Sequence, residues 1–232
     1  MKRKLVLFDI DGTILLTSGA GRRAIIDTLA AEVADCSGFH QIRFDGKTDP
    51  QIVTEMLTAA GHADPANPER LATLCQRYVD RLEAELRESR SRARVMPGVN
   101  QLLDRLEADE AVLLGLLTGN LARGAALKLR AARIDPARFV VGAFGSDAAH
   151  RHLLPAIAAR RAERYFGRRP DGEEIVIIGD TPADVTCGQA LAARAVGVAT
   201  GSYSTSDLAE AGAPAVFADL RDTEAVLQAI MR

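Results

Sequence analysis

Two carboxylates one residue apart, Asp9 and Asp11, close the apolar run 5–8 and are followed at once by Gly12 and Thr13. A strand-forming run that stops abruptly at two acids reads as a buried strand ending in a reactive loop. In an open parallel sheet both faces are covered, so chemistry collects beyond the carboxyl ends of the strands. Taken alone, Asp-Gly is also a common turn. Three later stretches repeat the pattern of apolar run and polar stop. VLLGLL (112–117) runs into Thr118, Gly119 and Asn120; FVVGAFGSD (139–147) precedes Arg151; EIVII (174–178) runs into Gly179, Asp180 and, after a Thr-Pro-Ala step, Asp184. Three or four carboxylates on one sheet edge repel, since unit charges about 4 Å apart cost on the order of 4 kcal/mol at an effective dielectric near 20. A hard cation resolves this. Oxygen ligands with room for water and a phosphate oxygen suit Mg²⁺, and no His or Cys is placed to bind zinc. A carboxylate at such a cation, beside hydroxyl, amide and guanidinium donors, is equipped to attack phosphorus, and a second carboxylate two residues on reaches the leaving oxygen.

The elements that must position these groups alternate strand and helix from Met96 to the end, which implies a parallel sheet with right-handed crossovers. Short helices are expected around Val99, Leu102 and Leu106, from Ala125 to Ala132 and over 153–166, and two weaker strands in ARAVGVATG and PAVFADL complete the sheet. Residues 15–92 break the alternation and read as helical throughout. Ile25, Ile26, Leu29 and Val33 recur at helical spacing. A second helix starts at Thr48 or Asp49 with Pro50 in its first turn, and a third follows Asn67 and Pro68 with an apolar stripe from Leu71 to Leu86. Gly19 and Gly21 suit a hinge. The expected organisation is therefore an α/β core, a doubly wound parallel sheet formed by 1–14 and 96–232, with an α-helical cap, 15–95, inserted after the first strand.

The chain has 232 residues, enough for one medium domain with an insertion, and its 29 basic against 31 acidic residues leave a net charge of −2. Neither nucleic acid nor a membrane is indicated as a partner. Only four apolar residues separate Lys4 from Asp9, too few for a signal peptide, and the run 111–117 is too short to span a bilayer, so a cytoplasmic location is expected. Cys36, Cys75 and Cys187 have no ligand spacing and read as reduced, buried thiols. The Ala/Arg-rich stretch 156–164 reads as a solvated helix face.

Taken in order, DIDGT (9–13), LLTGN (116–120), a basic residue near 151 and GDTPAD (179–184) resemble the motifs of the haloacid dehalogenase superfamily, specifically its capped phosphatase branch, which includes phosphoglycolate phosphatase-like enzymes. The resemblance implies a Rossmann-like core and covers nearly the whole chain. It implies that Asp9 is a nucleophile forming an aspartyl-phosphate, and that Asp11 protonates the leaving group, activates water and offers its backbone carbonyl to Mg²⁺. It further implies that Thr118, with Gly119 and Asn120, holds the phosphoryl group, that Asp180 binds Mg²⁺ and that Asp184 supports the metal shell. The family usually shows Lys where this chain has Arg151; Lys128 is the rival, although its helix position suggests an exposed face. Asp184 also fits a helix-capping acid. In the cap, Lys47 could reach a substrate anion or simply sit at a turn, and Arg22 and Arg23 read as solvated. His150 and His152 read as surface residues. The implied activity is Mg²⁺-dependent hydrolysis of a small phosphorylated metabolite. A sugar-phosphate mutase similar to β-phosphoglucomutase is the alternative within the fold, and a silent binding or regulatory protein the alternative outside enzymology.

Overall fold

The computed structural model describes residues 3–88 and 90–232. The first strand, β1 (Lys4–Phe8), is followed by a two-residue strand, β2 (Leu15–Leu16), and then by helices α1 (Ala20–Ala30), α2 (Asp49–Ala59) and α3 (Pro68–Glu85). Another two-residue strand, β3 (Arg94–Val95), pairs antiparallel with β2 and returns the chain to the sheet. Residues 15–92 are thus not helical throughout. Leu15 and Leu16 form a ribbon with Arg94 and Val95, and 37–41 is a 3₁₀ turn. So short a pairing is invisible to a periodicity reading, which needs several residues to register.

From there the chain alternates as expected: α4 (Val99–Glu107), β4 (Val112–Thr118), α5 (Ala122–Ala131), β5 (Val141–Phe144), α6 (Leu154–Phe166), β6 (Ile175–Gly179), α7 (Pro182–Cys187), β7 (Arg194–Val198), α8 (Thr205–Glu210), β8 (Ala215–Phe217) and α9 (Thr223–Met231). Six strands form one parallel sheet in the order β5-β4-β1-β6-β7-β8. Strand β1 lies inside it, between β4 and β6, so the side chains of Leu5 to Phe8 are buried on both faces. On one face Val6, Phe8, Val176 and Ile178 pack against α4, α5 and α9 through Leu102, Leu106, Ala125, Leu129 and Val226. On the other, Leu5, Leu7, Leu117 and Ile177 meet Ala158, Ala159, Ala162 and Phe166 of α6. Burying each Leu or Phe contributes about 1.5–3 kcal/mol, and strict two-residue alternation is what divides the strand between two helix layers. The stretch 156–164 is therefore only half a solvated face: Ala158, Ala159 and Ala162 are core, while Ala156 and the arginines lie outside.

Helices α1, α2 and α3 bury a separate apolar cluster, with Ile25, Leu29, Val53, Met56, Leu57, Tyr78 and Leu82 at its centre. Thr48 caps α2 by accepting from Gln51 N at 3.3 Å, and Asn67 caps α3 by accepting from Arg70 N at 3.0 Å. Of the cysteines, Cys75 and Cys187 are buried, whereas Cys36 is exposed, in the loop after α1. Among the described residues no helix is long and apolar enough to cross a membrane.

Candidate active site

The parallel register decides which residues meet. Phe8 lies opposite Leu116 on one side and Ile178 on the other, so Asp9, Thr118 and Asp180 leave the sheet within two residues of a common level. Asp9 N still donates to Ile178 O at 2.9 Å, which fixes the first carboxylate at the sheet edge. On the flank, Thr118 pairs with Phe144, and the loop after β5 carries Arg151 back over the strand ends.

Asp9 and Arg151 are both buried. Arg151 Nη2 donates to Asp9 Oδ1 at 2.9 Å, to the Leu117 carbonyl at 3.0 Å, and to Asp184 Oδ1. Removal from water pushes the Asp9 carboxyl up to about 7, against the pull of the guanidinium, and the carboxylates around Arg151 hold it firmly charged. Asp184 is at the same time the capping acid of α7: its Oδ2 accepts from Thr181 N at 3.0 Å and Thr181 Oγ1 at 2.7 Å. The two readings of Asp184 are compatible, since one oxygen caps the helix and the other binds Arg151.

Asp180 accepts from Thr13 Oγ1 at 2.9 Å. A side chain at Gly12, whose φ is +90°, would overlap the Asp180 carboxylate, so the turn after Asp11 both needs a left-handed residue and must stay bare. Burial, then the charges of Asp184 and Asp9, push Asp180 up to about 9. Asp9, Asp180 and Asp184 place carboxylate oxygens within 4.8 Å of one another, a set that could hold a metal ion. Three buried carboxylates against one guanidinium leave unbalanced negative charge, and an all-oxygen donor set of this size fits a hard divalent cation.

Asp11 points away from that cluster. Its Oδ2 accepts from Asn120 Nδ2 at 2.8 Å and from Lys128 Nζ at 2.6 Å, while Asn120 Nδ2 also reaches Thr118 Oγ1 at 2.8 Å. Lys128 is only 4 % exposed. The expectation of an exposed lysine is therefore wrong, and Arg151 and Lys128 are not rivals for one position: Arg151 serves Asp9 and Lys128 serves Asp11. The signal was present in the spacing, because Leu121, Ala125, Lys128 and Ala132 recur every three or four residues on one side of α5.

A cavity of about 420 Å³ opens above these groups, lined at its floor by Asp9, Asp11, Thr118, Asn120, Arg151 and Asp180. Its roof comes from α1 and the loop before α2. Lys47 lines it and forms an ion pair with Glu55, and its carbonyl lies so near Gly119 that a Cβ there would overlap it. Asp49 N donates to Gly119 O at 2.8 Å, Leu121 N donates to Asp49 Oδ2 at 2.8 Å, and Thr48 Oγ1 bonds the Ala149 carbonyl. Asp49 thus supplies from α2 the cap that Leu121 cannot give to α5. It is buried and pushed up to about 6, with Lys128 pulling the other way and the Tyr78 hydroxyl bonded to it. Sequence reading missed Asp49 as a site residue because a capping acid at its own helix start explains it locally. Arg22 sits over the Phe44 ring, 4.4 Å from its centroid, and lines the cavity, whereas Arg23 binds Glu85 and Ser91; neither is a plain solvated position. His150 and His152 are exposed and stacked on each other, as expected of surface residues.

Comparison with known structures finds the same fold at low identity. A predicted phosphoglycolate phosphatase from Haemophilus somnus 129pt is 18 % identical, with 98 % of each chain covered and a TM-score of 0.72. CbbY from Rhodobacter sphaeroides, solved in complex with phosphate, is 21 % identical over 96 % of each chain with a TM-score of 0.70. A β-phosphoglucomutase from Clostridium difficile is 15 % identical, covers 100 % of this chain and 98 % of its own, and has a TM-score of 0.73. Among curated proteins no match was found. The model of the haloacid dehalogenase-like hydrolases matches residues 3–192, most of the chain, with all four strand-end motifs inside it, and the protein belongs to that family of hydrolases.

Proposed function

We propose that this hydrolase is a Mg²⁺-dependent phosphomonoesterase acting on a small phosphorylated metabolite through a phosphorylated Asp9, with residues 15–95 serving as a cap over the site. The observation that carries the reading is the division of labour between the two carboxylates of the opening motif. Arg151 holds Oδ1 of Asp9, leaving Oδ2 to attack, while Asp11 is turned aside into the cavity by Asn120 and Lys128. In the first half-reaction Asp9 Oδ2 forms a bond to phosphorus, the ester P–O bond breaks, and the proton of Asp11 passes to the leaving oxygen. In the second, Asp11 takes a proton from water as the water oxygen bonds phosphorus, the Asp9–phosphorus bond breaks, and inorganic phosphate leaves.

Thr118 Oγ1 and the backbone of Gly119 and Asn120 stand at the strand end where they can donate to phosphoryl oxygens, and Arg151 offsets charge beside Asp9. Asp9, Asp180 and the backbone carbonyl of Asp11 would hold Mg²⁺, with Asp184 supporting from behind, and the ion when bound would neutralise the phosphoryl oxygens. Lys47 lies at the cavity roof, where it can meet the rest of a substrate. The covered cavity suits a metabolite and not a polymer.

The test is phosphate release from a panel that includes 2-phosphoglycolate, glycerol 2-phosphate, a sugar 1-phosphate and 4-nitrophenyl phosphate, with Mg²⁺ or with chelator. Turnover that requires Mg²⁺ and is lost in Asp9→Asn supports the proposal. Isomerisation of the sugar phosphate without phosphate release would point to a mutase, and no activity on any of them would sink the catalytic reading.

A further inference from the structure

Lys128 is built into the site more tightly than the phosphatase reading requires. It rises from α5, beneath the strand ends, and its ammonium is buried where α5 meets α1 and α3. A Cβ at Gly21 of α1 would lie 3.2 Å from Nζ and 3.7 Å from the Tyr78 hydroxyl, so α1 approaches the ammonium closely and a side chain there would crowd it. An ammonium withdrawn from water needs an anion with good geometry. Two carboxylates flank it: Asp11, hydrogen-bonded at 2.6 Å, and Asp49, buried beyond. Asp11 itself is not buried; its side chain is 41 % exposed to the cavity. The fixed member of the pair is the lysine, and the member that faces the cavity is the acid.

Resting on the phosphomonoesterase reading, we infer that Lys128 is a positioning residue that, with Asn120, grips Oδ2 of Asp11 and so presents Oδ1 to the reacting oxygen. Among the described residues nothing hydrogen-bonds Oδ1. An aspartate has two torsions and few contacts in an open cavity, and without the lysine its carboxyl would rotate among several positions. Proton delivery needs hydrogen-bond reach to the leaving oxygen, so lost orientation is lost rate. Arg151 does the corresponding service for Asp9, and each member of the acid pair then has one oxygen held and one free.

The experiment compares Lys128→Met with the wild type on two classes of substrate. A leaving nitrophenolate is stable without a proton, whereas an alkoxide is not. If Lys128 orients the acid, kcat/KM for the fastest alkyl phosphate of the panel falls by about 10²–10⁴-fold while that for 4-nitrophenyl phosphate stays within about tenfold. Equal losses on both substrates would mean that the lysine only supports the fold, and a rise in KM alone on both that it binds the phosphate; either overturns the inference. A crystal structure of Lys128→Met reads the same point without turnover: the Asp11 carboxylate is displaced or takes several positions, and finding it unmoved would overturn the inference as well. A wild type inactive on both classes fails the underlying phosphatase reading, and the inference falls with it.

Discussion

Arg151 meets Asp9 through a single nitrogen, which also bonds the Leu117 carbonyl and Asp184, so one guanidinium holds the sheet edge, the Asp9 carboxylate and the first turn of α7 together. Removing one partner from a buried ion pair costs about 3–5 kcal/mol, because the remaining charge is stranded. Arg151→Ala is therefore expected to lower the melting temperature by roughly 6–20 °C in a chain of this size. Turnover should be lost with it. Arg151→Lys should recover part of the stability but less of the rate, since a compact ammonium on a shorter stem does not reproduce the reach and fixed orientation of the guanidinium. Thermal denaturation and phosphate release on the two variants check both statements.

Asp9→Asn separates catalysis from stability. On the proposed mechanism the variant lacks the nucleophile, so no phosphorylated enzyme should form and release of phosphate should stop. It also removes one of three crowded buried carboxylates, so at pH 8 without divalent ions it should melt above the wild type. Asp11→Asn should behave differently, with turnover reduced about 10²–10⁴-fold and stability lowered instead of raised, because the buried Lys128 ammonium loses the carboxylate it is bonded to. Quench-flow trapping of a phosphorylated protein in Asp11→Asn but not in Asp9→Asn would show the difference directly.

The same carboxylates set how stability depends on pH. Asp9, pushed up to about 7, and Asp180, pushed up to about 9, bind protons in the fold that an unfolded carboxyl, with a value of about 3.9, has already released. Between those limits the folded state carries more protons, so stability is full at low pH and is lost as pH rises through 7 and towards 9. Metal-free protein should therefore melt lower at pH 8 than at pH 5.5 by several degrees, about 2–4 °C for each kcal/mol of linkage. Added Mg²⁺ should stabilise by mass action, and more strongly at pH 8 than at pH 5.5, because it competes with those protons. A melting temperature that rises from pH 5.5 to pH 8 in chelator would contradict the assignment.

What the sequence disclosed and what it withheld follow from the range of the interactions. The strand ends were legible because each is announced locally, by an apolar run and a polar stop, and because parallel pairing in register brings such stops to one edge. That Arg151 and Asp184 lie at the same edge, in contact with each other, followed from the same pattern. Lys128, Asp49 and Tyr78 were harder, since each looks ordinary on its own helix and gains its meaning only where α5 meets α1, α2 and α3. Asp49 caps a helix 72 residues away in sequence, and no local rule anticipates that. The ribbon of β2 and β3 was missed for the opposite reason, being too short to carry a pattern, and Cys36 is exposed because its segment is a loop and not a packed face.

The contact between Lys47 and Gly119 offers the sharpest test of a cap that seats on the strand ends. Gly119 lies under the Lys47 carbonyl, and its own carbonyl accepts from Asp49 N at 2.8 Å, so the two backbones touch with no side chain between them. A methyl group at Gly119 would have to displace the 44–50 loop, whereas the sheet beneath ends at Thr118 and need not move. Gly119→Ala is thus expected to leave global unfolding nearly unchanged and to lower kcat/KM on the alkyl phosphates by about 10²-fold, the usual cost of misplacing a site by an ångström. Faster hydrogen exchange at Thr48 to Gln51, without change in β1 or β6, would locate the effect at the loop. A variant with full activity and unchanged exchange would show that closure over Gly119 has no part in turnover.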